Sequence, residues 1–355
     1  MTLNQRKIEL LQAFDEAQKI AFAPFIFKAV SVSKRTGLLN ALGQSDTPLG
    51  VEALSEKTKL SVYAVSVLTD ILSAAHVIVK VDDGYLLSKV GQCLIYDRMT
   101  EVNFDFSDLV NYLPLDHVQE ALQSGKPAGL KTFDAHWQTI YPHLKELPAE
   151  CRRAWFAFDH FHSDTAYQAA LNLLKELPVR YFLDIGGNTG RFTKLALQTW
   201  GEARACLVDL PEQIELMRQN PDLASLQSRI DASPVNWLDP NAMPSVRQSP
   251  DLIWMSHFLD CFSFDEAVSI LKRVKVLAAE SEATIGILEP LVDRQRNASA
   301  TLSIASSSLY FSCLANGNSK FFSSDELHAI IDKAGLSIQR IEEPIGIGHS
   351  LYLCH

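Results

Sequence analysis

The chain has 355 residues, a formal net charge of −10 and a hydrophobic content of 47%. Its length allows two domains with full-sized cores, and its negative charge argues against nucleic acid or an anionic membrane as a partner. Six cysteines are scattered without a Cys-x-x-Cys pair or a Cys/His cluster. This pattern predicts reduced thiols in a cytoplasmic protein and no metal site.

The N-terminal residues 1–18 are polar and charged, which argues against a signal peptide. No apolar run is expected to reach membrane-spanning length, so we expect a soluble protein without a membrane partner. Residues 4–42 carry apolar side chains at helical spacing. Phe22, Phe25 and Phe27 present more apolar surface than one short helix can bury, which predicts that a second subunit covers it.

Residues 49–86 have the pattern of a winged helix, in which two short helices precede a hairpin at 77–86. A DNA-reading helix needs Arg, Lys, Asn or Gln side chains for base edges and phosphates. None of these occurs between Ser61 and Val79. The module is therefore predicted to serve something other than DNA binding.

Residues 99–179 are predicted to form a helical connector that is rich in aromatic side chains. His160 and His162 are two positions apart, so on a helix they face different ways and lack partners at metal-site spacing. Two roles stay open for the aromatic residues, an ordinary interhelical core and the wall of a ligand pocket.

Three glycines, Gly186, Gly187 and Gly190, follow a short apolar run that ends in Asp184 and Ile185. The run predicts a buried strand, and the residues from 191 onward predict a helix. A strand, a glycine turn and a helix N-terminus bring backbone N–H groups against a ligand. An acid immediately before the turn suits a ligand that carries positive charge rather than a pyrophosphate.

Asp209 ends a second predicted strand nineteen residues after Gly190, where such an acid accepts hydrogen bonds from ribose hydroxyls. The two motifs, at this spacing, resemble the S-adenosylmethionine (SAM) site of class I methyltransferases. The sequence Val208-Asp209-Leu210-Pro211 resembles the corresponding motif of the small-molecule O-methyltransferases. The resemblance implies that Asp184, the three glycines and Asp209 hold SAM. It also implies a homodimer formed through the N-terminal winged-helix domain.

Strands and helices alternate from residue 180 onward, which predicts a parallel sheet with helices on both faces. Strands are predicted at 181–186, 204–209, 251–256, 283–289, 337–341 and 350–354. The connection between the last two is too short for a crossover helix, so they should be antiparallel neighbours. The resemblance implies an α/β fold with a Rossmann-like, seven-stranded, mostly parallel sheet. The predicted domains are residues 1–98 for dimerisation, 99–179 for the connector and 180–355 for SAM binding.

Candidates for the adenine end of the cofactor are Asn236 and Trp237, since an indole ring can stack on a purine. Ser256, at the end of the predicted strand 251–256, is a third cofactor candidate. In open α/β sheets ligands lie beyond the carboxyl ends of the strands, which places residues 257–263 at the active site.

The general base has two candidates in this stretch, Asp260 and His257. Many related O-methyltransferases have a His-Asp-Trp motif here, and alignment from the start of the strand puts Asp260 at the position of that histidine. A phenol acceptor has an ordinary pKa of about 10 and an aspartate about 3.9, so Asp260 serves as a base only if burial raises its pKa. Two arrangements stay open: His257 as the base oriented by Asp260, or Asp260 acting alone or merely binding an acceptor hydroxyl.

Glu289 ends the next strand and matches the acid that orients the base in the resembling family. The family's second acid would fall near Lys320 and Phe321, where this chain has none. Further pocket candidates, three of them in the connector, carry aromatic or polar side chains: Trp155, Phe158, His160, Tyr310 and Asn316.

The resemblance implies methyl transfer from SAM to a hydroxyl of a flat, apolar, aromatic small molecule. The altered catalytic motif leaves an alternative open. The fold could bind SAM without O-methylation, as a C-methylating enzyme or as a regulatory subunit that binds a partner.

Overall fold

The computed structural model describes residues 3–355, with side chains from residue 8 onward, so residues 1 and 2 of the predicted first domain lie outside the described residues. The chain forms two compact units, of which the first ends at Asp108 and the second begins at Leu109. The division into 1–98, 99–179 and 180–355 stays a prediction.

The first unit is mainly helical and contains one antiparallel hairpin. Its helices are α1 (Leu3–Ala21), α2 (Ala23–Arg35), α3 (Leu38–Gly43), α4 (Val51–Thr58), α5 (Val62–Ala74), α6 (Lys89–Tyr96) and α7 (Arg98–Asp105). The hairpin pairs β1 (Ile78–Val81) with β2 (Gly84–Leu87). Ser61 caps α5 by accepting a hydrogen bond from the backbone N–H of Ala64. The helix pair and hairpin predicted for residues 49–86 are therefore present.

Leucine side chains form the core of this unit, where Leu38, Leu39 and Leu54 are fully buried. The helices α1 and α2 and the residue between them carry large apolar side chains that are more than half exposed in the chain alone. These are Leu10, Leu11, Phe14, Ile20, Phe22 and Phe25.

The second unit is an α/β domain. Its helices are α8 (Val118–Ser124), α9 (Ala149–Leu174), α10 (Arg191–Thr199), α11 (Pro211–Arg218), α12 (Phe264–Ala279), α13 (Ala298–Tyr310) and α14 (Ser324–Lys333). Shorter 3₁₀ segments lie at Pro114–His117, Ala128–Thr132, Tyr141–His143, Pro221–Arg229 and Leu259–Cys261. The π-helical segments are Phe106–Asn111, which crosses the unit boundary, and Phe311–Ala315.

Seven strands form the sheet: β3 (Tyr181–Ile185), β4 (Arg204–Asp209), β5 (Ile230–Pro234), β6 (Leu252–Ser256), β7 (Thr284–Pro290), β8 (Ile338–Ile345) and β9 (His349–Cys354). Their order is β5-β4-β3-β6-β7-β9-β8. The first five run parallel, while β9 is antiparallel to both β7 and β8. The mostly parallel sheet with antiparallel last strands confirms the predicted fold class.

Each central strand contributes side chains to two apolar layers because successive residues point to opposite faces. Leu183 and Ile253 pack into one layer, and Phe182 and Trp254 pack into the other. Helices cover both faces of the sheet. The loops that follow the parallel strands lie at the carboxyl edge of the sheet, where ligands bind in folds of this kind.

The helical stretch Ala298–Ala315 is long and apolar enough to cross a membrane by length and composition, with a mean hydropathy of 1.2 and one third of it buried. By length and composition, this stretch contradicts the expectation that no apolar run reaches membrane-spanning length. A core helix can match the same criterion, and the residues from Tyr310 to Ala315 are all buried.

Candidate active site

The glycine turn after β3 is built from residues with positive φ. Gly186 has φ +72°, Asn188 +47° and Gly190 +81°. The backbone N–H of Gly190 donates to the carbonyl of Gly187 at 2.8 Å and closes the turn before α10. Glycine adopts this left-handed backbone at little cost, which explains two of the three glycines.

Gly187 is required by packing rather than by its φ. A Cβ atom there would lie 2.7 Å from Leu207 Cδ1 and 2.9 Å from Asp184 Cγ. The backbone of the turn therefore rests directly on the neighbouring strand and on the Asp184 carboxyl.

Asp184 is buried beneath the turn, where its Oδ2 accepts a hydrogen bond from Thr193 Oγ1 at 2.5 Å. Burial raises the pKa of Asp184 to about 7, while the hydrogen bond from Thr193 lowers it. The carboxyl thus ties the end of β3 to the first turn of α10.

Asp209 holds the opposite side of the turn. Its Oδ2 accepts from the backbone N–H of Asn188 at 2.8 Å, and its Oδ1 accepts from the N–H of Leu210 at 2.7 Å. Burial raises the pKa of Asp209 to about 6, and the two backbone donors lower it. The structure therefore brings Asp184, the three glycines and Asp209 together at one edge of the sheet.

The helix α9 contributes an acid that the sequence analysis missed. Asp159 Oδ2 accepts from Asn188 Nδ2 at 3.2 Å. Burial, together with the charges of Asp164 and Asp260, raises the pKa of Asp159 to about 7. No local motif marks this acid, because its partner lies 29 residues further along the chain.

The adenine candidates lie after β5 and differ in burial. Asn236 is exposed, and its Oδ1 accepts from the backbone N–H of Leu238. Trp237 is buried, with its ring centroid 6.2 Å from that of Phe258 and the guanidinium of Arg273 4.9 Å above it. Ser256 is buried at the end of β6.

Asp260 and Glu289 form a buried pair of carboxyls, with 2% and 1% of each residue exposed. Each carboxyl shifts the pKa of the other, and Glu289 Oε2 is buried without a donor in the part of the chain that the structure describes. Buried neighbouring carboxyls disfavour double ionisation, so the pair holds a proton. Glu289 Oε1 accepts from the backbone N–H groups of Phe258 and Leu259 at 3.0 and 2.9 Å. Glu289 is thereby fixed against the 3₁₀ turn that carries Asp260.

Burial dominates the protonation of this pair. It raises the pKa of Asp260 to about 7, with hydrogen bonds from Cys261 and Glu289 lowering it. It raises the pKa of Glu289 well above its ordinary value, and the nearby Asp260 charge raises it further. The pair therefore holds one proton near neutral pH.

His257 does not pair with Asp260. It has φ +47°, and its Nε2 lies 2.5 Å from Nε2 of His349, which is buried on β9. Burial and the neighbouring His349 and His162 hold the pKa of His257 well below its ordinary value. Because its ring turns to His349, the arrangement in which Asp260 orients His257 as the base is not the one observed.

The pocket candidates fall into two groups. Trp155 Nε1 donates to the hydroxyl of Tyr310 at 2.8 Å, and Asn316 Nδ2 donates to the carbonyl of Cys261 at 2.5 Å. Phe158 and His160 lie on α9, where burial lowers the pKa of His160 to about 4. Asn316 contacts the stretch that carries Asp260 directly, and Trp155 and Tyr310 connect to it through Tyr141, whose ring meets that of Trp155 and whose hydroxyl bonds to Cys261.

The place of the family's second acid is taken by Phe321, which is buried, and the adjacent Lys320 pairs with Glu326 at 2.8 Å. Among residues 3–355, no group of three or more His, Cys, Asp or Glu side chains is arranged to hold a metal ion.

The turn offers buried polar atoms that fit the amino-acid end of SAM. Asn188 Oδ1 and Thr189 Oγ1 are buried without a hydrogen-bond partner among the described residues. Buried polar atoms are normally paired, and an ammonium or carboxylate group would supply the missing partner. The residues present therefore fit the cofactor that the glycine turn suggests.

Two family models match the chain. One, described as an O-methyltransferase domain, matches residues 149–337, and one described as a Dimerisation2-like domain matches residues 15–85. The phenazine-1-carboxylate N-methyltransferase of Pseudomonas aeruginosa is 28% identical over 151 residues. That alignment spans 42% of this chain and 41% of the relative, so the chain matches less than half of that protein's length.

Solved structures share the fold across nearly the whole chain. The mitomycin 7-O-methyltransferase MmcR is similar with a TM-score of 0.72 at 18% identity, covering 98% of this chain and 99% of that one. Human N-acetylserotonin methyltransferase in complex with SAM gives a TM-score of 0.64 at 15% identity, with 97% of each chain covered. Since the O-methyltransferase model alone matches more than half of the residues, this chain belongs to the O-methyltransferase domain family.

Proposed function

We propose that this protein transfers a methyl group from SAM to a hydroxyl of a flat, apolar, aromatic small molecule. The observation that carries the proposal is the buried Asp260 carboxyl in the 3₁₀ turn after β6, next to the buried carboxyl of Glu289. A base of this kind has a use in a methyltransferase, because a hydroxyl becomes a good nucleophile only when its proton is removed.

The cofactor would be held by the turn and the neighbouring strand ends. These residues are Asp184, Gly186, Gly187, Gly190, Asp209, Asn236, Trp237 and Ser256. When bound, SAM supplies a methyl group on a positively charged sulfur. The Asp209 carboxylate would face the ribose, and the unpartnered Asn188 Oδ1 and Thr189 Oγ1 would face the amino-acid end.

Asp260 is the group to which we assign the acceptor's proton. Its raised pKa brings it closer to that of a phenol than an ordinary aspartate. Glu289 would donate a hydrogen bond to Asp260. The backbone N–H groups of Phe258 and Leu259 fix Glu289, which would thereby hold the Asp260 carboxylate in place. His257 ranks second, since His349 already occupies its Nε2.

The acceptor would lie against α9 and the α13 region. Trp155, Phe158, His160, Tyr310 and Asn316 combine aromatic surface with a few polar atoms, which is the usual composition of a small-molecule pocket. The mitomycin and phenazine relatives act on flat ring systems by their names, which supports an aromatic acceptor from secondary metabolism.

A panel experiment tests the proposal. Methyl-labelled SAM is incubated with the protein and a set of phenols, aromatic amines and activated aromatic carbons, and the products are identified by mass spectrometry. We expect label in an O-methyl ether. Label only on nitrogen, as the Pseudomonas relative's name describes, or on carbon would contradict O-transfer. SAM binding without any labelled product, also from cell extract, would favour the non-catalytic alternative.

We also propose that the active form is a homodimer that buries the exposed apolar face of α1 and α2. Phe14 and Phe25 are 60% and 65% exposed, and burying such side chains stabilises by about 1.5–3 kcal/mol each. The double variant Phe14→Glu/Phe25→Glu is expected to elute as a monomer in size-exclusion chromatography with light scattering. Val90→Glu, at a 50% exposed position on α6, is the control and should stay dimeric. A monomeric wild-type protein would refute the assignment.

A further inference from the structure

The hydroxyl of Tyr141 and the carboxyl of Asp260 both lie next to the thiol of Cys261. Tyr141 Oη donates to Cys261 Sγ at 3.0 Å, and Cys261 Sγ lies 3.5 Å from Asp260 Oδ1. One hydrogen-bond donor and one carboxylate acceptor therefore both lie within hydrogen-bond distance of the same thiol. The cofactor turn and the carboxyl pair leave Tyr141 without an assigned role.

The hydroxyl of Tyr141 donates its hydrogen bond to the sulfur of Cys261, which is a weak acceptor. Burial, together with the charges of Cys261, Tyr310 and Asp260, raises the pKa of Tyr141 well above its ordinary value, so the O–H stays protonated. A thiol sulfur accepts hydrogen bonds only weakly. An oxygen or ring nitrogen of a bound molecule would be a better acceptor than sulfur, and a hydrogen bond is electrostatically stronger in a buried environment such as that of Tyr141.

The backbone around Tyr141 is held in place from two sides. The N–H of Ile140 donates to the carbonyl of Leu314 at 3.0 Å, and Gln213 Nε2 donates to the carbonyl of Tyr141 at 2.8 Å. The Tyr141 ring meets the Trp155 ring edge to face at 6.5 Å. The hydroxyl is thus preorganised, which reduces the entropy lost when it binds a ligand.

We propose that Tyr141 is a specificity-determining residue that, together with Asp260, selects acceptors whose reactive hydroxyl lies beside a second oxygen or nitrogen acceptor atom. The hydroxyl of such a molecule donates to Asp260, and the neighbouring atom accepts from Tyr141. The inference rests on the proposed function in taking Asp260 as the group that receives the hydroxyl. A molecule with an isolated hydroxyl can satisfy only one of the two partners.

Two isomers serve as probes, 1-hydroxyphenazine, whose hydroxyl lies beside a ring nitrogen, and 2-hydroxyphenazine, whose hydroxyl does not. Binding is measured by calorimetry with the full chain saturated with S-adenosylhomocysteine, which has no methyl group to transfer. We expect the wild-type protein to bind the 1-isomer about tenfold more tightly, the size of one net hydrogen bond. Tyr141→Phe should weaken only the 1-isomer and bring the ratio to about one.

Tyr63→Phe is the matched control, because this tyrosine is 78% exposed on α5, and it should keep the tenfold ratio. Unchanged binding of the 2-isomer by Tyr141→Phe shows that the pocket is intact. A wild-type protein that binds neither isomer or binds both equally overturns the inference, as does a Tyr141→Phe variant that keeps the preference. Failure of the proposed function would appear differently, as absent methyl transfer with the isomer preference intact.

Discussion

Replacement of Asp260 by asparagine is expected to lower kcat for methyl transfer by about 10²–10⁴-fold, the range that general-base catalysis contributes. Asparagine keeps the size of the side chain and can still bond to Glu289, but it cannot take a proton. SAM binding should stay within about twofold of the wild type, because Asp260 lies beyond the cofactor turn. Single-turnover rates with saturating SAM and the acceptor found in the panel would measure the loss.

The pH dependence of the wild-type rate is an independent test of Asp260 as the base. Asp260 acts only when ionised, and burial raises its pKa to about 7. The rate should therefore be half-maximal near pH 7, level off about one pH unit higher, and fall as the pH drops below this pKa. An ordinary aspartate would already be fully ionised at pH 6 and would give a flat profile there.

Two variants keep this prediction open to refutation. Asp265→Asn changes an exposed acid in the first turn of α12 and should leave the rate unchanged. Glu289→Gln mimics the protonated acid, accepts the same two backbone N–H groups and still donates to Asp260, so it should keep most of the rate. If Asp260→Asn retained the wild-type rate, or if His257→Ala alone abolished it, the base would not be Asp260.

The parts of the site that could be predicted are those encoded locally in the chain. Gly186, Gly190 and Asp209 follow strand-ending runs, and the positive φ of both glycines and the backbone contacts of Asp209 follow from that position. The alternation of strands and helices likewise predicted the parallel sheet. In both cases the predictive pattern lies in consecutive residues of single strands, turns and helices, although paired strands such as β3 and β6 are far apart in the chain.

The parts that could not be predicted depend on contacts between distant segments. The His257–His349 pair joins residues 92 positions apart, and the Tyr141–Cys261 hydrogen bond joins residues 120 apart. The arrangement in which Asp260 orients His257 requires the two side chains to meet, whereas His257, at φ +47°, directs its ring to His349 on β9. The place of β9 between β7 and β8 brings His349 there, and a short connection does not specify that order.

Asp209→Ala is expected to weaken SAM binding at least about 100-fold, which corresponds to about 2.7 kcal/mol. Two contributions add. The carboxylate would lose its hydrogen bonds to the ribose, and the turn would lose the acceptor for the Asn188 and Leu210 N–H groups. Hydrogen bonds to a charged group contribute about 1.5–3 kcal/mol each. Removal of the carboxylate should therefore weaken SAM binding by more than about 2.7 kcal/mol even if the turn partly relaxes.

Calorimetric titration with SAM measures this effect directly and requires no acceptor. Asp222→Ala is the control, because this exposed acid pairs with Lys194 of α10 at 3.0 Å, and such surface ion pairs contribute about 0–1 kcal/mol. Thermal unfolding separates the two contributions to the Asp209 effect. A variant that unfolds at the wild-type temperature but binds SAM weakly has lost a ligand contact, whereas a lower unfolding temperature reports the loosened turn. Wild-type affinity in Asp209→Ala would remove the ribose assignment, and with it the main support for reading the turn after β3 as a SAM site.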